Sequence, residues 1–356
     1  MAAWTFITPF AALALLGAAA AMGIDGLALP LACAAGLIGA VIAAVHHAEV
    51  VAHRVGEPFG TLVLALAITV IEVALIISLM LSGGPATAAL PRDTLYATVM
   101  IICNGVVGVC LLLGGLRHRE QSFQVAGTGP ALAALVVLCT ITLVMPVFTT
   151  SSPEGTYTPA QLGFVAVVSI ALWAVYVFVQ TVRHRDYFLP EGAATDQDAH
   201  AAPPGGRATL ISAGLLPVAL IAVVGLAKLL SPRIEALVDE AQAPKAVVGI
   251  AVAMLVLLPE TWAAVRAARA NRLQTSMNLA LGSSLASIGL TVPAVVVAAV
   301  WLKLPLVLGL HAKEMVMLAM TFVVSAITLG SGRTHLMQGA VHLVVFAAFL
   351  FLAFVP

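Results

Sequence analysis

Charge is what this sequence has least of. Among 356 residues, 9% are Asp, Glu, Lys or Arg and 62% are hydrophobic, whereas soluble domains carry about 25% charged and about 45–50% apolar residues. A water-soluble fold is excluded on that ground. Lys and Arg (16) balance Asp and Glu (16), and no block of about five or more like charges occurs, so nothing marks a nucleic-acid partner or a polybasic lipid anchor. Cysteine is scarce too. Cys33, Cys103, Cys110 and Cys139 lie in apolar runs without C-x-x-C or zinc-ligand spacing, so they read as packing residues with free thiols. The start, Met1-Ala2-Ala3-Trp4, has no Lys or Arg and so lacks the basic region of a secretory signal; the first apolar run is expected to be a retained helix.

What is present is apolar sequence, with a mean hydropathy of +1.10. About 20 apolar residues cross a hydrocarbon core of about 30 Å as a helix. Such runs centre on residues 7–22, 28–47, 60–82, 94–116, 127–149, 161–183, 209–230, 246–266, 275–301, 313–330 and 335–355. The fold class expected is an all-α polytopic membrane protein of about 11 transmembrane helices. One connection is polar, 185–208, with Asp186, Glu191, Asp196, Asp198, Pro203 and Pro204. It divides the chain into an N-terminal extra helix (1–27), a five-helix repeat (28–184), a linker (185–208) and a second five-helix repeat (209–356). Because five is odd, the repeats insert with opposite orientation, as in inverted-repeat transporters.

Sidedness follows from Lys and Arg. Ten fall on the side of the N-terminus (Arg54, Arg117, Arg119, Arg183, Arg185, Arg207, Arg266, Arg269, Arg272, Arg333) and six on the other (Arg92, Lys228, Arg233, Lys245, Lys303, Lys313). The positive-inside rule makes the first side cytoplasmic. The N-terminus and linker are then expected inside and the C-terminus outside the cell's inner (plasma) membrane.

Each repeat carries one glutamate in its second helix: Glu72 in Ala67-Ile68-Thr69-Val70-Ile71-Glu72-Val73, and Glu260 in Leu257-Leu258-Pro259-Glu260-Thr261-Trp262. A charged side chain at the bilayer centre costs at least about 2.5–3.5 kcal/mol on insertion scales. No charge lies between Gly60 and Glu72 or from Glu72 to Leu81, so Glu72 cannot snorkel. Glu260 has Arg266 six residues on, which keeps a helix-end ion pair as the alternative to a functional carboxylate. Pro259 frees a backbone carbonyl just before Glu260, either as an ordinary kink or as part of a cation site in a broken helix. Carboxylate, carbonyl and hydroxyl oxygens suit hard cations such as Ca²⁺ or Na⁺. Burial also penalises the ionised carboxylates, so protons and a cation compete for one shared site.

Other polar residues carry competing readings. Ser276, Ala280, Ser283, Ser287 and Thr291 form a small-residue stripe in the ninth helix, read first as close packing and second as a site lining. Asn104, mid-membrane beside Gly105, reads as a ligand or gate residue, or as a bond to a neighbouring helix. His46, Glu49 and His53 share one face of the second helix, with His47 adjacent. That face reads as a hydrated helix end, with a zinc-holding intramembrane enzyme as the rival. A channel or sensor without coupled exchange is a further alternative. His342 and Lys228 read as packing and snorkelling residues. Arg92 and Asp93 are expected in the connection after the third helix, without a role.

Several motifs resemble the cation/proton exchangers (CAX) of the calcium/cation antiporter superfamily. They are Glu49, Arg54-Val55-Gly56, Gly60 and Glu72 in the first repeat, then Glu260, Asn271-Arg272-Leu273, Ala280-Leu281-Gly282-Ser283 and Val292-Pro293 in the second, with Gly332-Arg333-Thr334 and Phe354-Val355-Pro356 near the end. Gly56-Glu57-Pro58-Phe59-Gly60-Thr61-Leu62 and Asn278-Leu279-Ala280-Leu281-Gly282-Ser283 are most similar to the bacterial ChaA-type branch. The resemblance implies Ca²⁺/H⁺ exchange driving cation efflux, with sodium or potassium as the alternative cation. Its partners would be inorganic cations, protons and the lipid bilayer, with no cofactor beyond the transported ion. It assigns Glu72 and Glu260 to cation and proton binding, supported by Thr69, Asn104, Pro259, Asn278, Ser283, Ser284 and Glu49. The family's glycine-asparagine pairs are replaced by Ile68-Thr69 and Val256-Leu257, an expected glutamine is Ala286, and an expected acid is Gln338. Fewer oxygens weaken selectivity for a divalent ion, which takes six to eight. The linker has no dense acidic run, so no calcium-sensing segment is expected there.

Overall fold

The computed structural model describes residues 3–24, 26–56, 59–189, 205–242 and 244–355. Glu191, Asp196, Asp198, Pro203 and Pro204 of the linker and Glu57, Pro58 and Pro356 of the motifs lie outside the described residues. Eleven helices there are long and apolar enough to cross a membrane. They are α1 (Ala3–Met22), α2 (Ala28–Val55), α3 (Phe59–Gly83), α4 (Leu90–His118), α5 (Val125–Phe148), α6 (Pro159–Arg183), α7 (Gly206–Glu240), α8 (Ala246–Arg269), α9 (Leu273–Leu302), α10 (Ala312–Gly330) and α11 (Leu336–Phe354).

Each expected apolar run has its helix, but some helices outlast their runs. Polar residues at the headgroup level keep helical hydrogen bonds, so α2 continues through Glu49, His53 and Arg54 to Gly56, whose φ of 74° ends it. The start of α4 corrects an expectation. Pro91 occupies its first turn, where a missing N–H is harmless, so Arg92 and Asp93 lie inside the helix and not in the connection. A two-stranded antiparallel sheet was not expected either: β1 (Glu120–Ser122) pairs with β2 (Arg333–His335), Gln121 opposite Thr334.

The chain forms two compact units that interleave along the sequence, Met1–Ala88 with Asp198–Val248, and Ala89–Gln197 with Gly249–Pro356. In the first, α2 packs against α1, α3 and α7. Its packed face is small: Ala40, Ala43, Ala44 and Ala48 are fully buried, and a Cβ on Gly36 or Gly39 would come within 2.8 Å of Leu15 or Thr8 of α1. Such residues let backbones approach where apolar lipid gives no hydrophobic drive to associate.

In the second unit α4 packs on α11, and α9 packs on α5 and α6. Gly108 and Gly339 stand at the α4–α11 crossing, where a Cβ on Gly108 would lie 3.0 Å from Leu343 and 3.1 Å from His342. Connections that the hydropathy count assigns to one side meet one another. β1 pairs with β2, and its Gln121 donates to Ala268 O (3.0 Å) and Asn271 Oδ1 (2.9 Å) of the α8–α9 turn. On the opposite side, Leu308 and Gly309 N–H groups donate to Gly155 O at 3.0 and 2.9 Å.

The surface is the inverse of a soluble protein's. Trp301 (83%), Leu210 (80%) and Ile327 (72%) are exposed, while His47, Glu72, Arg92, Asp93, Asn104 and His342 are buried. An exterior of this kind suits lipid.

Candidate functional site

In the first unit, Glu72 is 1% exposed and lies in α3 among the buried apolar residues Ile71, Leu75 and Ile76. Thr69, three residues earlier, is also buried and shares its helix face. Glu49 and His53 are exposed near the end of α2, consistent with a hydrated helix end. His46 is half-buried, its ring 5.6 Å from that of Trp4.

His47 departs from the expectation of a hydrated end. It is 0% exposed, with Nε2 3.0 Å from Thr5 O and Nδ1 3.0 Å from Ser212 Oγ. A carbonyl only accepts, so Nε2 carries the proton and Nδ1 accepts from the Ser212 hydroxyl. The imidazole thus joins α1, α2 and α7. Among the described residues no group of three or more His, Cys, Asp or Glu is placed to hold a metal ion. The His46, Glu49 and His53 face does not close into a zinc centre.

In the second unit, Glu260 is half-buried in α8 and both its carboxylate oxygens are shielded from solvent. Pro259, inside the same helix, removes the bond that Leu255 O would otherwise accept. On α9, Ser276, Ala280, Ser284, Ser287 and Thr291 are buried and Ser283 is half-buried. Gly289 lies on the opposite side of α9 from this stripe and marks a close approach there, since a Cβ on it would lie 2.6 Å from Trp173 of α6. Asn278 sits nearer the helix start. Its Nδ2 donates to Phe188 O and its Oδ1 accepts from Gln274 Nε2 at 2.9 Å, tying α9 to the turn Arg185–Phe188.

Asn104 lies in a π-helical turn, Ile101–Val106, within α4. Further π turns occur at Thr140–Val144 in α5, Val179–Arg183 in α6 and Ser287–Thr291 in α9, and α4 and α9 are each the third helix of an expected repeat. Single π turns recur at functional sites. Asn104 Nδ2 donates to Thr321 Oγ1 of α10 (2.9 Å), and its Oδ1 faces His342 Nδ1 of α11 (3.3 Å). The bond to a neighbouring helix, one of the two readings of Asn104, is therefore present. His342 Nε2 is 3.1 Å from Thr328 Oγ1, so His342 is a hydrogen-bonded polar residue and not a packing residue alone.

Arg92 and Asp93 form a buried pair, Nη2 to Oδ1 at 2.8 Å. Arg92 Nη1 also donates to Gly309 O at 3.1 Å and lies 3.4 Å from His311 Nε2. The only advance signal was an adjacent pair of opposite charges beside an apolar run. Lone histidines in apolar runs gave no hint of what they would bond.

The profile described as "Sodium/calcium exchanger protein" matches residues 26–182 and 211–355. The chain is 50% identical over 321 residues to y4hA of Sinorhizobium fredii, named for ionic transport, covering 90% of this chain and 87% of that one. It is 38% identical over 330 residues to the sodium-potassium/proton antiporter ChaA of Escherichia coli, covering 92% and 89%. The solved structure of native YfkE, called a Ca²⁺/H⁺ antiporter in a second structure, shares the fold. Its TM-score is 0.74 at 18% identity, covering 99% of this chain and all of that one.

Proposed function

The chain belongs to the sodium/calcium exchanger protein family, a family of membrane transporters and not of enzymes, and from that premise we propose that it exchanges Ca²⁺ for protons. Glu72 and Glu260 bind the cation when ionised and carry protons when neutral, so that arrival of one releases the other. The observation that carries this reading is the burial of two carboxyl groups within apolar helices, in the second helix of each expected repeat. Such groups are expensive in a membrane and are kept for ion and proton pathways. Two carboxylates also neutralise a divalent charge. Thr69 and the carbonyl freed by Pro259 offer further hard oxygens on the same two helices, with Asn104, Asn278, Ser283, Ser284 and Glu49 in support.

The repeats work by alternating access. The Lys and Arg bias supports a cytoplasmic N-terminus and an outside C-terminus in the plasma membrane. An inward proton gradient then drives cation efflux. A second reading, sodium or potassium in place of calcium, is favoured by the name of ChaA and by the missing amides beside both glutamates. The two separate in inverted vesicles energised with protons. The first reading expects micromolar Ca²⁺ to dissipate the gradient while Na⁺ and K⁺ do little. The reverse ranking establishes the second, and indifference to all three cations removes both.

A further inference from the structure

A chain of hydrogen bonds in the second unit can be assigned end to end. Thr321 Oγ1 donates to Met317 O at 2.8 Å, leaving a lone pair for Asn104 Nδ2 at 2.9 Å. Nδ2 also points at Met100 Sδ, 3.9 Å away. Asn104 Oδ1 therefore faces His342, and because an amide oxygen only accepts, His342 Nδ1 carries the proton. Its bare Nε2 then accepts from Thr328 Oγ1 at 3.1 Å. A flipped amide would draw the Thr321 proton away from Met317 O and turn an oxygen toward Met100 sulfur, so the other orientation is poorer at both ends. Asn104 (0%), Thr321 (0%), His342 (1%) and Thr328 (3%) are all buried, where polar groups are kept hydrogen-bonded.

We propose that His342 is a positioning residue for exchange, holding the Asn104 amide in the one orientation that offers oxygen, and not NH₂, to the transported cation. The inference rests on the reading above that Asn104 supports cation binding. His342 occupies one lone pair of Oδ1 and leaves the second for a ligand. Were the amide to flip, its positive NH₂ end would replace a ligand oxygen and repel the cation. Gly108 is part of the device. A Cβ there would lie 3.1 Å from His342 Cβ, so glycine lets α11 come near enough for the imidazole to reach Asn104.

The test uses the conservative pair His342→Asn and His342→Gln with His342→Leu, Asn104→Ala and the double variant. Proton release from vesicles is measured against concentration of the cation that wild type prefers. The short amide of His342→Asn places its nitrogen near Nδ1, whereas His342→Gln places it near Nε2. The expected result is a half-maximal cation concentration raised about tenfold by His342→Leu and His342→Gln, with maximal rate kept, as for loss of one hydrogen bond. His342→Asn restores much of the affinity, and Asn104→Ala combined with His342→Leu is no worse than Asn104→Ala alone. If Asn104→Ala weakens cation affinity but His342→Gln behaves as His342→Asn, the positioning role is overturned and the role of Asn104 stands. If Asn104→Ala leaves affinity unchanged, the reading of Asn104 fails and this inference falls with it. Should His342→Leu not fold, the Asn and Gln variants carry the comparison by themselves.

Discussion

Arg92 and Asp93, adjacent in sequence, face each other as a buried ion pair, with Nε 2.8 Å from Oδ1 at the start of α4. Arg92 reaches onward to Gly309 O, and Glu314 Oε2 accepts from the His311 N–H at 2.8 Å. The pair therefore fastens the connection before α10 to the first turn of α4. Removing one partner strands the other charge, a loss of about 3–5 kcal/mol. Asp93→Leu should lower the melting temperature in detergent sharply, and adding Arg92→Met should recover much of it. A harmless Asp93→Leu would show that the pair does not hold this connection.

His47 makes a similar bridge in the first unit. Replacing it by Phe removes the bonds to Thr5 O and Ser212 Oγ together, so a loss of about 1–3 kcal/mol is expected. Ser212→Ala should lose about 1 kcal/mol or less. Thermal unfolding ranks the two, and the opposite order would argue against His47 as the centre of the junction.

Close helix approach gives a third contrast. A Cβ on Gly339 would meet the backbone nitrogen of Leu112, whereas one on Gly163 meets nothing within 4 Å. Gly339→Val is expected to abolish folded, monodisperse protein, and Gly163→Ala to leave yield and melting temperature unchanged. Size-exclusion profiles decide the matter, and a well-folded Gly339→Val protein would contradict the crossing of α4 and α11.

The proposed orientation is tested by labelling. Cys33, Cys103, Cys110 and Cys139 are buried, which makes a quiet background for single added thiols. With intact cells, a membrane-impermeant maleimide should modify Glu154→Cys and not Arg185→Cys. Both positions are exposed in connections on opposite sides. The reverse pattern inverts the topology.

Hydropathy made the eleven spans legible because lipid thickness sets the length of an apolar run. It marked helix ends poorly. Arg92, Asp93, Glu49 and Arg54 remain helical, since a polar side chain ends an apolar run without ending a hydrogen-bond ladder. The strands β1 and β2, three residues each, are too short for any periodic signal. Among the candidate residues, Glu72 was readable as buried because no charge flanks it. His47 and His342 were not, because each bonds a partner far away in sequence, 165 residues for Ser212 and 238 for Asn104. The bond from Asn104 to a neighbouring helix could only be recognised by seeing which helix faced it.

The most direct test of the account is cation-driven proton release by Glu72→Gln and Glu260→Gln in inverted vesicles, each variant checked for wild-type folding. Glutamine keeps the shape and one oxygen but can neither ionise nor carry the proton, so each variant is expected to lose exchange by at least about a hundredfold, the equivalent of roughly 2.7 kcal/mol. Exchange at the wild-type rate in either variant would contradict the assignment of these two carboxylates.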